Sequence, residues 1–281
     1  MSGAPLYEVL RDAIRAGSPV ALATVVEGPP DRLGAKLIVG PAVDGLQSGL
    51  AGSLGDPDLD RVVARDTLGE LEAGRSGTRH YGPQGEARQE DLAVFIESFA
   101  PPPHMVIFGA VDFTAALMRV AKLLGYRVTV CDARAVFATR ARFPLADEVV
   151  VDWPNRYLAG TGADLGPRDA VCVLTHDAKF DVPALVAALG TRAGYIGAMG
   201  SRRTHADRVR RLTDAGVAPA ELARVLSPIG LDLGARTPEE TAVSICAEII
   251  ALRTGRRPPS LRDAHGPIHD SVGQASLTAS S

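Results

Sequence analysis

The chain has 281 residues, 46% of them hydrophobic and 22% charged, which suits two ordinary globular domains with real cores. A net charge of −3 and an aromatic content of only 5% argue against a general electrostatic grip on nucleic acid and against an extended base-stacking platform. No apolar run approaches the ~20 residues of a membrane span, and three scattered cysteines, Cys131, Cys172 and Cys246, with no signal peptide point to a reducing cytoplasm.

Residues 4–16 carry a helical periodicity that Gly17 and Ser18 stop. Residues 20–26 and 34–40 read as strands on either side of a Gly/Pro/Asp turn. Asp56-Pro57 starts a helix that runs to Gly74, and residues 91–100 form a further strand. The first hundred residues thus mix helix and strand without a βαβ rhythm, which predicts a smaller N-terminal α+β domain over 1–100. Pro101-Pro102-Pro103 is a stiff spacer and marks the boundary.

From residue 104 the pattern changes. Short apolar strands at 104–110, 126–132, 146–153, 169–175 and 192–198 alternate with helices at 112–125, 181–190, 201–216 and 238–253. Thr237 caps the last helix, Pro238 takes its first position and Glu240 completes a capping box. This alternation predicts an α/β fold: a C-terminal Rossmann-like doubly wound parallel sheet over 104–255. The Pro-, Arg-, His- and Ser-rich segment 256–281 is expected to be a mobile tail.

Ligands of open parallel sheets bind beyond the carboxyl ends of the strands, so the residues there are the candidates. Gly109 opens the first strand–helix turn, where a GxGxxG would stand, but Val111 replaces the second glycine and would crowd a pyrophosphate. Asp112 is a good N-cap that brings negative charge to the same place. Asp132, about 20 residues on, sits where a ribose-binding acid belongs, and a cap for the next segment is the alternative. Arg134 can pair with Asp132 or meet a phosphate. His176 and Asp177 follow the fourth strand and suit either acid–base work or a capped loop. The run from Gly197 through Gly200, Ser201, Arg202 and Arg203 leads a buried strand into a helix. Its free N–H groups, the helix dipole and two guanidinium forks suit an anion, with a capped surface helix as the alternative. Gly230 lies in a Pro/Gly loop before the last helix. No Walker loop, HExxH, GxSxG or Cys/His cluster of metal-binding spacing is present, and no catalytic residue is assigned.

Several of these segments together resemble the XdhC/CoxI family of accessory proteins for molybdenum hydroxylases. They are Phe108-Gly109-Ala110, residues 128–134, 174–177, 195–203 and 227–249, with looser likeness at 23–26, 34–39 and 49–52. The resemblance implies a cytoplasmic chaperone rather than an enzyme. Its cargo would be the molybdenum cofactor, as molybdopterin or its dinucleotide form. It would support sulfuration with a cysteine desulfurase and hand the cofactor to an apo xanthine dehydrogenase or related hydroxylase. A homodimer is left open. The family's Gly-Gly-Cys-Val-Glu-like segment corresponds here to Leu54-Gly55-Asp56-Pro57-Asp58, which has no thiol. Two other readings stand beside this one. In the first, an NAD(P)-dependent oxidoreductase holds the ribose with Asp132 and moves protons with His176. In the second, a docking protein has lost its ligand. With one His–Asp pair and no activated nucleophile, the residues favour carrying over converting.

Overall fold

The computed structural model describes residues 6–41, 49–86 and 91–256. The predicted tail beyond Arg256 lies outside them. The chain divides into two compact units between Pro101 and Pro102.

In the first unit, β1 (Val20–Glu27), β2 (Lys36–Val39), β3 (Leu50–Ser53), β4 (Gly77–Tyr81) and β5 (Leu92–Phe99) form one antiparallel sheet in the order β3-β2-β1-β5-β4. Period-two alternation sends Ala21, Ala23 and Val25 to one face, where α2 (Pro57–Ala73) packs through Leu59 and Val63. Val20 and Leu22 turn to the other face with Ile38, against Val9 and Ala13 of α1 (Leu6–Arg15). Asp56 caps α2 through the N–H groups of Asp58 and Leu59, and Gly74 closes it at φ +62°.

In the second unit, six strands run parallel: β6 (His104–Phe108), β7 (Arg127–Cys131), β8 (Glu148–Val150), β9 (Ala170–Val173), β10 (Tyr195–Ala198) and β11 (Val225–Leu226). Their order is β11-β10-β9-β6-β7-β8. Counted from β6 as the first strand, that is the 3-2-1-4-5-6 arrangement of dinucleotide-binding folds. The order reverses between β6 and β9, so a crevice opens beyond their carboxyl ends. One face is covered by α3 (Asp112–Leu123) and α8 (Pro238–Thr254), which bury Leu117, Ile245 and Ile249 against Met105 and Ile107. The other carries α4 (Pro154–Thr161), α5 (Ala178–Leu189) and α6 (Arg202–Asp214), which bury Leu158, Leu185 and Leu212 against Val106, Val171 and Ile196.

The structure departs from the expected elements where side-chain patterning is weak. Two edge strands, β3 and β4, are mostly exposed and carry little hydrophobic alternation. The two-residue β11 and the short α4 and α7 (Pro219–Leu222) are too brief to register as periodic runs. Asp112 is the first residue of α3 rather than its cap. Val111 holds the cap position, and the Thr114 hydroxyl accepts its N–H. The capping box of α8 forms as expected, with Thr237 accepting from Glu240 N at 3.1 Å and Glu240 accepting from Thr237 N at 3.1 Å.

His104 begins β6, with Nε2 2.9 Å from Thr129 Oγ1. Burial first, and Arg127 second, hold its pKa below the ordinary 6.5, although Asp169 and Glu148 pull the other way. The unfolded chain therefore binds this proton more readily, and stability is lost as pH falls through 6.5 toward the folded-state value. Denaturant midpoints should rise between pH 5 and pH 7, and His104→Gln should flatten that rise.

Candidate functional site

The turn after β6 is tight because Gly109 takes φ +109° and a Cβ there would stand 2.7 Å from Thr175 Cγ2. Thr114 Oγ1 donates back to the Gly109 carbonyl. The carboxylate of Asp132, buried at the end of β7, accepts four hydrogen bonds. They come from Ala110 N at 2.8 Å, Arg134 N at 2.9 Å, Arg134 Nε at 2.9 Å and Arg134 Nη2 at 2.7 Å. Burial alone would raise its pKa. The guanidinium of Arg134 and the N–H of Ala110 outweigh it and hold the carboxyl below the usual range. Asp132 is therefore a clasp between two strand-end turns, and Arg134 is its partner. Neither is presented as a free group to a ribose. Asp112, its side chain 91% exposed, adds negative charge at the head of α3, with Arg142 Nη2 3.5 Å away.

Beyond β9, Thr175 is buried while His176 and Asp177 are exposed. Asp177 caps α5 by accepting from Lys179 N at 3.1 Å. It makes no hydrogen bond to His176 among the described contacts, so the capped loop is the form observed. Gly197 and Gly230 serve packing: a Cβ on Gly197 would lie 2.6 Å from Ile229, and one on Gly230 2.5 Å from Ser244 Oγ. Gly200 turns at φ +148°, and Ser201 caps α6 through Thr204 N at 3.2 Å. Arg202 opens α6, and its side chain lies outside the described residues. Arg203 is exposed.

The strongest feature of this region is one that the sequence does not announce. Arg208 of α6 and Asp181 of α5 form a buried ion pair at 2.8 Å, with side chains 3% and 5% exposed. The same guanidinium donates to Met199 O at 2.8 Å and to Ser227 Oγ at 3.0 Å. Asp181 also accepts from the Thr175 hydroxyl. One cation thus ties together the ends of β9, β10 and β11. Arg208 shares the inward stripe of α6 with Leu212, four residues on, a spacing that the flanking arginines obscure.

Beside this network, a cavity of about 240 Å³ opens between the starts of α5 and α6. His176, Arg203, Arg208 and Arg211 line it, together with Asp181 and Asp207. Arg208 neutralises Asp181, and Asp207 pairs with Arg210. Arg203 and Arg211 have no carboxylate partner among the described residues, which leaves the cavity cationic. Its volume suits a phosphate or pyrophosphate and falls below the ~300–1,000 Å³ of sites that enclose a whole drug-sized ligand. Among the described residues, no group of three or more His, Cys, Asp or Glu is placed to hold a metal ion. No helix among them is long and apolar enough to cross a membrane.

All three cysteines are buried. Burial pushes the thiols of Cys131 and Cys246 up to about 12 and that of Cys172 well above its ordinary value.

These features define a protein with an antiparallel α+β unit and a Rossmann-type unit whose anion-binding character has moved from the first turn to the head of α6. Residues 105–249 match the model of the XdhC Rossmann domain, and residues 13–82 match that of the XdhC and CoxI family. The chain belongs to the XdhC and CoxI family. It is 34% identical over 160 residues to a Bacillus subtilis protein named as one of the probable subunits of xanthine dehydrogenase, over 57% of this chain and 46% of that one. It is 27% identical over 244 residues to the Escherichia coli protein YqeB, over 84% of this chain and 44% of that one. It is 34% identical over 95 residues to the Escherichia coli molybdenum cofactor insertion chaperone PaoD, over 34% of this chain and 30% of that one. The matches thus span less than half the length of each of these relatives. A crystal structure from Bacillus halodurans, described as a xanthine dehydrogenase, superposes on 90% of this chain and 97% of its own with a TM-score of 0.51. At 22% identity that likeness establishes a shared fold.

Two outcomes are expected. Removing one partner of the buried pair, as in Arg208→Ala or Asp181→Ala, should cost about 3–5 kcal/mol in denaturant unfolding, because the other charge is left uncompensated. A disulfide exchange reagent should label none of the three thiols in the native protein within minutes and all three after denaturation.

Proposed function

We propose that this chain is an accessory protein that binds the molybdenum cofactor and assists its sulfuration and insertion into a molybdenum hydroxylase. The observation that carries the reading is the cationic cavity at the head of α6. It offers Arg203, Arg211 and His176 beside the Ser201-capped helix terminus, a donor set suited to the phosphate of molybdopterin or the pyrophosphate of its dinucleotide form. The printed names of two relatives, a molybdenum cofactor insertion chaperone and a probable component of xanthine dehydrogenase, support the same reading. Gly109, Gly200 and Gly230 shape the crevice walls, Asp132 and Arg134 brace its far side, and Asp177 fixes the loop that carries His176.

The chain's role in sulfuration is to hold the cargo. Its own thiols are buried and protonated, so sulfur passes from a partner cysteine desulfurase to the bound cofactor without resting on this protein. The recipient is an apo hydroxylase of the xanthine dehydrogenase type. An NAD(P) oxidoreductase is the weaker reading. Asp132 is already saturated, and Val111 and Asp112 stand where a pyrophosphate would need an open, uncharged turn.

Mass spectrometry of ligand released from freshly purified protein, with metal analysis, tests the proposal. Pterin and molybdenum should appear together, and Arg203→Ala with His176→Ala should lower their occupancy at least about tenfold. Full occupancy in that folded double variant would exclude the site.

A further inference from the structure

The chain is poor in aromatic residues, yet several of them converge on one wall of the crevice. Phe137 follows β7, Trp153 follows β8 and caps the start of α4, and Phe180 lies in the first turn of α5, after β9. The rings of Trp153 and Phe180 stand 4.9 Å apart at 34°. The guanidinium of Arg134 lies over two of the rings, 4.7 Å from Phe137 and 5.8 Å from Phe180. Three separate strand-end segments thus contribute flat groups to one surface. That surface stands at the end of the sheet where the strand order reverses.

Two properties set it apart from ordinary packing. Trp153 and Phe137 remain 37% and 39% exposed, and Val151 and Val136 beside them in the chain are 52% and 75% exposed. An apolar, aromatic surface left open at a ligand crevice favours a flat partner. The charge is also already balanced. Asp132 neutralises Arg134 at 2.7 Å, and Asp177 lies 3.8 Å from Lys179. The wall therefore has no spare cation for a phosphate, in contrast to the cavity lined by Arg203 and Arg211.

We propose that Phe137, Trp153, Phe180 and the Arg134 guanidinium form a stacking site for a planar nitrogen heterocycle, the ring of the cargo whose phosphate end occupies the cavity at α6. This rests on the cofactor-binding reading and extends it to the ring. The shared chemistry is a flat, electron-poor ring, which a pterin and a nucleobase both supply.

Trp153 is the single tryptophan of the chain, so its fluorescence reports on this wall alone. The full-length protein is titrated separately with 6-methylpterin, with cytidine, adenosine and guanosine monophosphates, and with inorganic pyrophosphate. Corrections for absorbance come from N-acetyltryptophanamide. Saturable quenching by the pterin or by a nucleotide supports the site and identifies which ring it takes. Pyrophosphate should leave the emission unchanged. Phe137→Leu, at an exposed ring, should weaken ring binding about tenfold, as should Phe180→Leu, each with Trp153 retained as reporter. Quenching that is linear and equal to that of the free tryptophan analogue for every ring compound would overturn the proposal. So would unchanged affinity in a folded Phe137→Leu protein. Arg203→Ala separates the two readings. If ring quenching persists while pyrophosphate binding by calorimetry is lost, both sites stand. If calorimetry shows Arg203-dependent pyrophosphate binding and no ring compound affects Trp153, the stacking site falls and the phosphate cavity survives. If ring quenching saturates and pyrophosphate does not bind, the stacking site stands and the cavity assignment falls.

Discussion

Arg208 is a guanidinium with almost no access to water, held by the carboxylate of Asp181, the carbonyl of Met199 and the hydroxyl of Ser227. Burying a charge in this way is tolerable only when its donors find acceptors, and here they do. Through Asp181 the network reaches Thr175, and the methyl of Thr175 lies against Gly109. The first strand–helix turn and the ends of β9, β10 and β11 are therefore set by one chain of contacts. The cavity at the head of α6 keeps its shape because one of its walls is this ion pair.

The same constraint explains how the second unit can keep a dinucleotide-type strand order without a dinucleotide-type turn. In such folds the glycine-rich turn does two things: it packs the helix on the strand and admits a pyrophosphate. Gly109 preserves the packing role, since any side chain there would collide with Thr175. Val111 and Asp112 give up the admitting role. On the other side of the crevice, α6 gathers an exposed Arg203, an Arg211 without a carboxylate partner among the described residues, and a Ser201 cap around open space. The anion-binding function has shifted along the sheet rather than vanished, and the aromatic wall over β7 and β8 supplies a complementary surface free of net charge.

Much of this is legible in the sequence. The fully buried parallel strands read as short apolar runs because both of their faces are covered, and the capping box at Thr237 is visible from three residues. The candidate anion segment from Gly200 to Arg203 stands out because a buried strand, glycines and a helix start in succession leave few alternatives. What escapes is instructive in physical terms. Arg208 looks like one more solvated arginine, since four others share its helix and only tertiary packing reveals which of them turns inward. The sequence pattern starts α5 at Asp181, whereas the helix begins at Ala178, and that offset hides the inward face on which Asp181 lies. Asp132 is correctly located at the end of β7, but its partners decide its role, and both Arg134 and the Ala110 N–H lie in turns that no periodicity describes. Gly197 and Gly230 read as site glycines and prove to be contact glycines beneath Ile229 and Ser244.

The central claim is that the buried Arg208–Asp181 pair shapes the anion cavity, beyond any contribution to stability. Replacing both partners with apolar residues, Arg208→Met with Asp181→Leu, removes the charges together and so spares the fold the penalty of a single orphaned ion. Calorimetric titration of that double variant with inorganic pyrophosphate is the most direct test. The account predicts a folded protein whose pyrophosphate affinity has fallen at least about tenfold; a folded double variant that binds pyrophosphate as tightly as the parent protein would contradict it.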